Sequence, residues 1–308
     1  MQPDIKALAD ELIAEQGLPA DYSQTVNEVI IPLAQGLVDR QAVQGRALVV
    51  GIHGAQGTGK STLALFLARM LTAVFDCPTV TLSLDDLYLT RSERETLARQ
   101  VHPLLITRGV PGTHDITLGH QVLDQLQAAR SGSETRLPAF DKAVDDRQPF
   151  SRWPLHEGEV KIVLLEGWCL AAEPEPESAL LAPVNELEAG EDADGRWRRY
   201  VNAQLAGPYR DFFARIDYLI MLQAPSMAHV VAWRTLQEHK LAESRVVAPN
   251  GCNSSLRLMS DTEILRFVMH YERITRHALT EMPARADLLL VVDDQHRITT
   301  QHYRGPST

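Results

Sequence analysis

Cysteine is scarce: Cys77, Cys169 and Cys252 are the only three in 308 residues, far apart and without a Cys-x-x-Cys pair. So small and scattered a set suggests neither a disulfide framework nor a zinc site, and a reduced, cytoplasmic setting is expected. No run approaches the roughly 18 apolar residues that span a bilayer, and residues 1–20 carry Asp4, Asp10, Glu11 and Glu15 where a signal peptide would be apolar. Basic excess is missing as well. With 40 acidic against 30 basic side chains the formal net charge is −10, which argues against a nucleic-acid backbone as partner. No internal repeat is found, nor the Asn-Lys-x-Asp and Ser-Gly-Gly-Gln motifs of two large classes of nucleotide-driven switches and transporters.

Apolar material is plentiful, at 44% of residues, enough for one large α/β domain carrying insertions. Short runs rich in Val, Ile and Leu over 47–53, 79–84, 160–165, 218–222 and 288–292 predict strands, with helical patterns between them. Such alternation predicts an open, mostly parallel sheet with helices on both faces. Apolar spacing in 3–16 and 22–43, including Val26, Val29, Ile30, Leu33 and Leu37, marks 1–44 as a helical N-terminal extension to a domain over 45–308. Ser260 and Glu263 read as a capping box opening a helix to about Leu279. Residues 172–195, acidic and rich in Pro, Glu and Ala, are expected as an insertion, and a stretch near 234–260 as a candidate lid.

The most informative segment is Gly54-Ala55-Gln56-Gly57-Thr58-Gly59-Lys60-Ser61-Thr62, between the first strand and a helical run. Its glycines let the backbone curl with N–H groups turned inward around phosphate oxygens, and the following helix adds its positive end. Lys60 then reaches the β- and γ-phosphates, and Ser61 is suited to Mg²⁺. ATP and Mg²⁺ are the expected cofactors.

Carboxylates follow at two strand ends. Asp85 and Asp86 close the second strand, in Ser83-Leu84-Asp85-Asp86-Leu87-Tyr88, and would face the crevice that holds the phosphate loop. One of them is the expected base for phosphoryl transfer to an alcohol, with helix capping or metal contact left to the other. Glu166 closes the third strand and is read, with Ser61 and Asp85, as a metal or water ligand. Arg108, His114 and Asp115 stand in a Pro-Gly turn where an arginine suits an acceptor carboxylate. Asp141 and Lys142, with Asp86 and Tyr88, complete the candidate acceptor pocket, and Arg234 is a candidate lid cation. Trp168, Trp197 and Trp233 read as core anchors.

In order along the chain, the phosphate loop, Ser-Leu-Asp-Asp-Leu-Tyr, Arg-Gly-Val-Pro-Gly-Thr-His-Asp, Leu-Pro-Ala-Phe-Asp-Lys, Leu-Glu-Gly-Trp, Pro-Val-Asn-Glu-Leu and Met-Ser-Asp-Thr-Glu resemble the glycerate 3-kinase family of P-loop kinases, relatives of pantothenate kinase, uridine kinase and phosphoribulokinase. The resemblance covers roughly residues 45 to 295. It implies a P-loop kinase sheet and transfer of the ATP γ-phosphate to the 3-hydroxyl of D-glycerate, with Asp85, three residues before Tyr88, as base. Pantothenate, a nucleoside or a sugar phosphate is the alternative acceptor, and an NTP-hydrolysing switch or assembly protein the alternative class.

Overall fold

The structure, a computed structural model, describes residues 4–246 and 259–305. Six strands form the central sheet: β1 (Leu48–Gly54), β2 (Thr79–Ser83), β3 (Ile162–Gly167), β4 (Tyr218–Gln223), β5 (Leu288–Val292) and β6 (Ile298–Tyr303). Their spatial order is β6-β5-β4-β1-β3-β2, with β6 antiparallel and the other pairings parallel. Five of the six match predicted strands. The edge strand β6 was not anticipated, because Ile298-Thr299-Thr300-Gln301-His302-Tyr303 is only partly buried and lacks a continuous apolar run.

β1 and β3 are buried at every position. A parallel strand covered on both faces needs no polar alternation, which is why these runs read as continuous apolar stretches. Leu48, Val50, Ile52, Ile162 and Leu164 point into one core, with the helix Lys60–Ala73 and the N-terminal helices Ile5–Glu15 and Ile31–Gln44. Val49, Val163 and Leu165 point into the other, with the helices Ile116–Ala128, Arg196–Gln204 and Asp261–Glu281. Trp168, Trp197 and Trp233 are all buried.

The long C-terminal helix runs Asp261–Glu281 and opens on the expected capping box, in which Ser260 and Glu263 satisfy each other's backbone. Residues 172–195 contain a short 3-10 turn, Glu177–Leu181, and the helix Glu186–Glu191. Much of the stretch read as a lid falls on residues 247–258, outside the described residues; its first part continues the helix Met227–Val246.

Topology decides where chemistry can occur. β1 is flanked by β3 on one side and β4 on the other, so the chain changes direction across the sheet there, and a crevice opens at the carboxyl ends of the strands. Register aligns those ends: Glu166 lies opposite both Ile52 of β1 and Ser83 of β2. The loop after β1, the carboxylates after β2 and Glu166 therefore share one edge.

Candidate active site

The loop from Gly54 to Gly59 turns tightly, with the Thr58 N–H and hydroxyl both donating to the Ala55 carbonyl (3.2 and 2.8 Å). Gly57 has φ +83°, and a β-carbon there would lie 2.6 Å from Trp233 Cβ, so no larger residue fits. Gly59 caps the helix Lys60–Ala73 in the left-handed conformation and, lacking a side chain, makes no capping hydrogen bond to it. Its first-turn N–H groups are thus directed at the crevice, which suits an anion.

Beyond the loop, Glu166 is the hub. It is buried, and Oε1 accepts from the Ser83 hydroxyl (2.8 Å) and the Ser61 hydroxyl (3.3 Å). Oε2 lies 3.9 Å from Lys60 Nζ, too far for a hydrogen bond, and has no such partner among the described residues. An unpartnered buried carboxylate oxygen beside a serine hydroxyl is a fitting oxygen donor set for a hydrated divalent cation, and the neighbouring lysine suits the phosphate.

Asp85 follows Ser83 on a short 3-10 turn, Leu84–Leu87. Its Oδ2 accepts from Lys142 Nζ (2.6 Å) and its Oδ1 from the Tyr88 hydroxyl (2.7 Å). Burial pushes its pKa up, but the charges of Lys142 and Lys60 outweigh that and hold the carboxyl well below the usual range. Asp86 differs. Its Oδ1 accepts the Phe140 N–H (3.1 Å), and burial, reinforced by the charge of Asp85, raises its pKa to about 6.

Some sequence candidates turn out to support the site from below. His114 is buried, stacked on Tyr88 with ring centroids 4.7 Å apart, and burial lowers its pKa to about 3. The Tyr209 oxygen accepts the N–H groups of Gly112 and His114 (2.8 and 3.3 Å), so its proton goes to His114 Nδ1 at 2.6 Å. The neutral ring then carries its own proton on Nε2. Asp115 caps the helix Ile116–Ala128 through the Leu118 N–H (2.9 Å) and pairs with Arg147 (3.1 Å). Asp141 closes its own turn, accepting from Ala143 N–H and Gln148 Nε2, both at 2.9 Å.

Arg108 pairs with Asp145 and lies over the Phe140 ring at 5.4 Å, while its carbonyl accepts from the Tyr271 hydroxyl (3.0 Å). Arg234 is bound to Glu238 (2.8 Å) on its own helix and stacks over Phe267 at 5.4 Å. Tyr209, Ser83 and Arg94 were not singled out from sequence. Only Ser83 carried a signal, standing two residues before the candidate base; the others matter through long-range packing.

No family model matches the chain. Over 252 residues it is 34% identical to the uncharacterized kinase mug58 of Schizosaccharomyces pombe, an overlap covering 79% of this chain and 86% of that protein. It is 29% identical over 232 residues to the chloroplastic D-glycerate 3-kinase of Arabidopsis thaliana, covering 73% of this chain and 46% of that one. Among solved structures, D-glycerate 3-kinase from Cryptococcus neoformans var. grubii superposes with a TM-score of 0.72 at 22% identity, covering 89% and 99% of the two chains. Pantothenate kinase of Bacillus velezensis is more distant, 26% identical over 258 residues. Fold and relatives define an ATP-dependent kinase built on a mostly parallel P-loop sheet. Within that class, the chain belongs to the same family of kinases as mug58, and its relatives and structural neighbours include D-glycerate 3-kinase.

Proposed function

We propose that this kinase transfers the γ-phosphate of ATP to the 3-hydroxyl of D-glycerate, with Mg²⁺ accompanying the nucleotide. The observation that carries the reading is Asp85: a charged carboxylate at the crevice, within the field of Lys60 and bonded to Lys142 and Tyr88. Residues 54–62 hold the triphosphate through backbone N–H groups, and Lys60 neutralises charge on the phosphoryl group being transferred. Ser61 and Glu166 would hold the metal, which would supply positive charge to the triphosphate.

Asp85 orients the acceptor hydroxyl and takes its proton late, when the bond to phosphorus is forming. A carboxylate with a depressed pKa suits that role, because a loose transition state asks for positioning more than for a strong base. Lys142 and Arg108 form a cationic flank for the acceptor's carboxylate. D-glycerate supplies the two groups this arrangement uses, a primary hydroxyl and a carboxylate.

The test is ADP release measured against D-glycerate, pantothenate and uridine in parallel, with the phosphorylated product identified. Saturable dependence on D-glycerate and formation of 3-phosphoglycerate are expected, at roughly 1 to 100 turnovers per second. No response to D-glycerate, with turnover on another alcohol, would overturn the acceptor while leaving the kinase chemistry in place.

A further inference from the structure

Arg94 is the only fully buried side chain on the mostly polar helix Arg91–Gln100, on which Leu97 packs partly buried against the core. Its guanidinium donates to three backbone carbonyls from different segments: Leu89 (3.3 Å), Ile106 (2.6 Å) and Asp145 (2.7 Å). It also meets the Asp145 carboxylate at 3.0 Å, and the other oxygen of that carboxylate binds Arg108. One carboxylate thus bridges two guanidiniums. Asp145 itself has φ +57°, a conformation costly for a residue with a β-carbon and held by its surroundings.

Asp145 belongs to the hairpin formed by Phe140–Asp141 and Asp146–Arg147, whose tip carries Lys142. Few backbone bonds hold so short a hairpin, so its place depends on side-chain anchors. Among these are the bond from Phe140 N–H to Asp86, the Arg91 N–H bond to Asp146 (3.0 Å), the bonds from the Arg147 guanidinium to the Tyr88 carbonyl (2.9 Å) and to Asp115 (3.1 Å), and Arg94. Arg94 is central among them because it ties the hairpin to the segment bearing Arg108, and Phe140 lies under both guanidiniums, at 5.9 Å from Arg94 and 5.4 Å from Arg108.

We propose that Arg94 is a positioning residue for the acceptor half of the site: through Asp145 it sets the hairpin so that Lys142 meets Asp85 and Arg108 faces the acceptor. The proposal rests on the acceptor reading of Lys142 and Arg108 given above. Arg94 touches neither reacting group, so it acts through Lys142 and Arg108. A planar fork is needed, since lysine offers one point charge and cannot serve three carbonyls and a carboxylate together.

The experiment compares wild-type protein with Asp145→Asn and Arg94→Lys. Asparagine tolerates the left-handed backbone about as well as aspartate, so Asp145→Asn removes the charge without adding strain and remains informative should Arg94→Lys fail to fold. Amide hydrogen exchange over residues 138–148 is expected to quicken at least ~10-fold in both variants, with the helix Lys60–Ala73 unchanged. With D-glycerate as acceptor, its KM is expected to rise at least ~10-fold while the KM for ATP stays within about twofold. Unchanged exchange in the hairpin, or a parallel rise in both KM values, would overturn the proposal. Absence of D-glycerate-dependent ADP release in the wild type sinks the proposed acceptor instead, and the exchange measurement still decides whether Arg94 holds the hairpin.

Discussion

Two adjacent carboxylates, Asp85 and Asp86, end up in opposite electrostatic states. Asp85 sits against Lys142 with Lys60 nearby and stays ionised far into acid; Asp86 is half-buried, and that burial outweighs its bond from the Phe140 N–H and the charge of Lys142, raising its pKa to about 6. If Asp85 is the base, Asp85→Asn lowers kcat at least ~100-fold with ATP affinity within about twofold, read from ADP release and nucleotide titration. Retained turnover in that variant removes Asp85 from the chemistry. For Asp86 the consequence is one of stability. Its folded pKa is raised, so between about 4 and about 6 the folded state holds more protons than the unfolded chain, and stability falls as pH rises through that window. Asp86→Asn keeps the oxygen that accepts from Phe140 and deletes the buried charge. It should stabilise the protein by on the order of 1–2 kcal/mol at pH 7.5, and the gain should vanish near pH 4. Urea unfolding of both proteins at the two pH values checks this; a pH-independent difference would contradict the assignment.

At the scale of elements, the phosphate loop works because a strand, a turn and a helix meet a distant helix at one point. Gly57 lies against Trp233 of the helix Met227–Val246 and has positive φ, so Gly57→Ala adds both a clash and a strained backbone. Weakening of ATP binding by at least ~10-fold is the expected result, with a stability loss of about 1–3 kcal/mol, measured by nucleotide titration and thermal melts. Wild-type affinity in that variant would mean the loop yields more easily than its packing implies. The loop was legible in the sequence because its chemistry is local: glycines, lysine and serine at fixed spacing serve one anion. Strand-end carboxylates were legible for a related reason, since a parallel strand announces its own end. Arg94 was not, because an arginine on a capped polar helix reads as solvent-facing, and its partners come from segments 12 and 51 residues away. His114 carried a readable imidazole, but not the burial and the Tyr209 hydroxyl that govern it.

Across the whole molecule, the helices before β1 complete the core that supports the phosphate loop. Leu8, Leu12, Ile30 and Leu37 share one apolar cluster with Leu63, Phe66 and Leu67 of the helix Lys60–Ala73, and Tyr22 meets Phe66 at 5.2 Å between ring centroids. Arg40 lies over the Tyr218 ring of β4 at 4.5 Å, and Gln301 of β6 donates to the Glu28 carbonyl (3.1 Å), so this region reaches across the sheet. A helix that presents N–H groups to phosphate at one end can be rigid only if its apolar face is covered. Leu12→Ala, at a fully buried position, should therefore cost about 3 kcal/mol and lower the melting temperature within a single cooperative transition. Removal of residues 1–44 should go further. The fragment 45–308 would expose the apolar faces of the helix Lys60–Ala73 and of β1, and it should show neither a cooperative melt nor the stabilisation that saturating ATP gives the whole chain, about 2.7 kcal/mol at a hundredfold excess over Kd. A fragment that melts cooperatively and binds ATP like the full chain would instead make the N-terminal helices a separable addition, and the leucine substitution would then leave nucleotide affinity untouched.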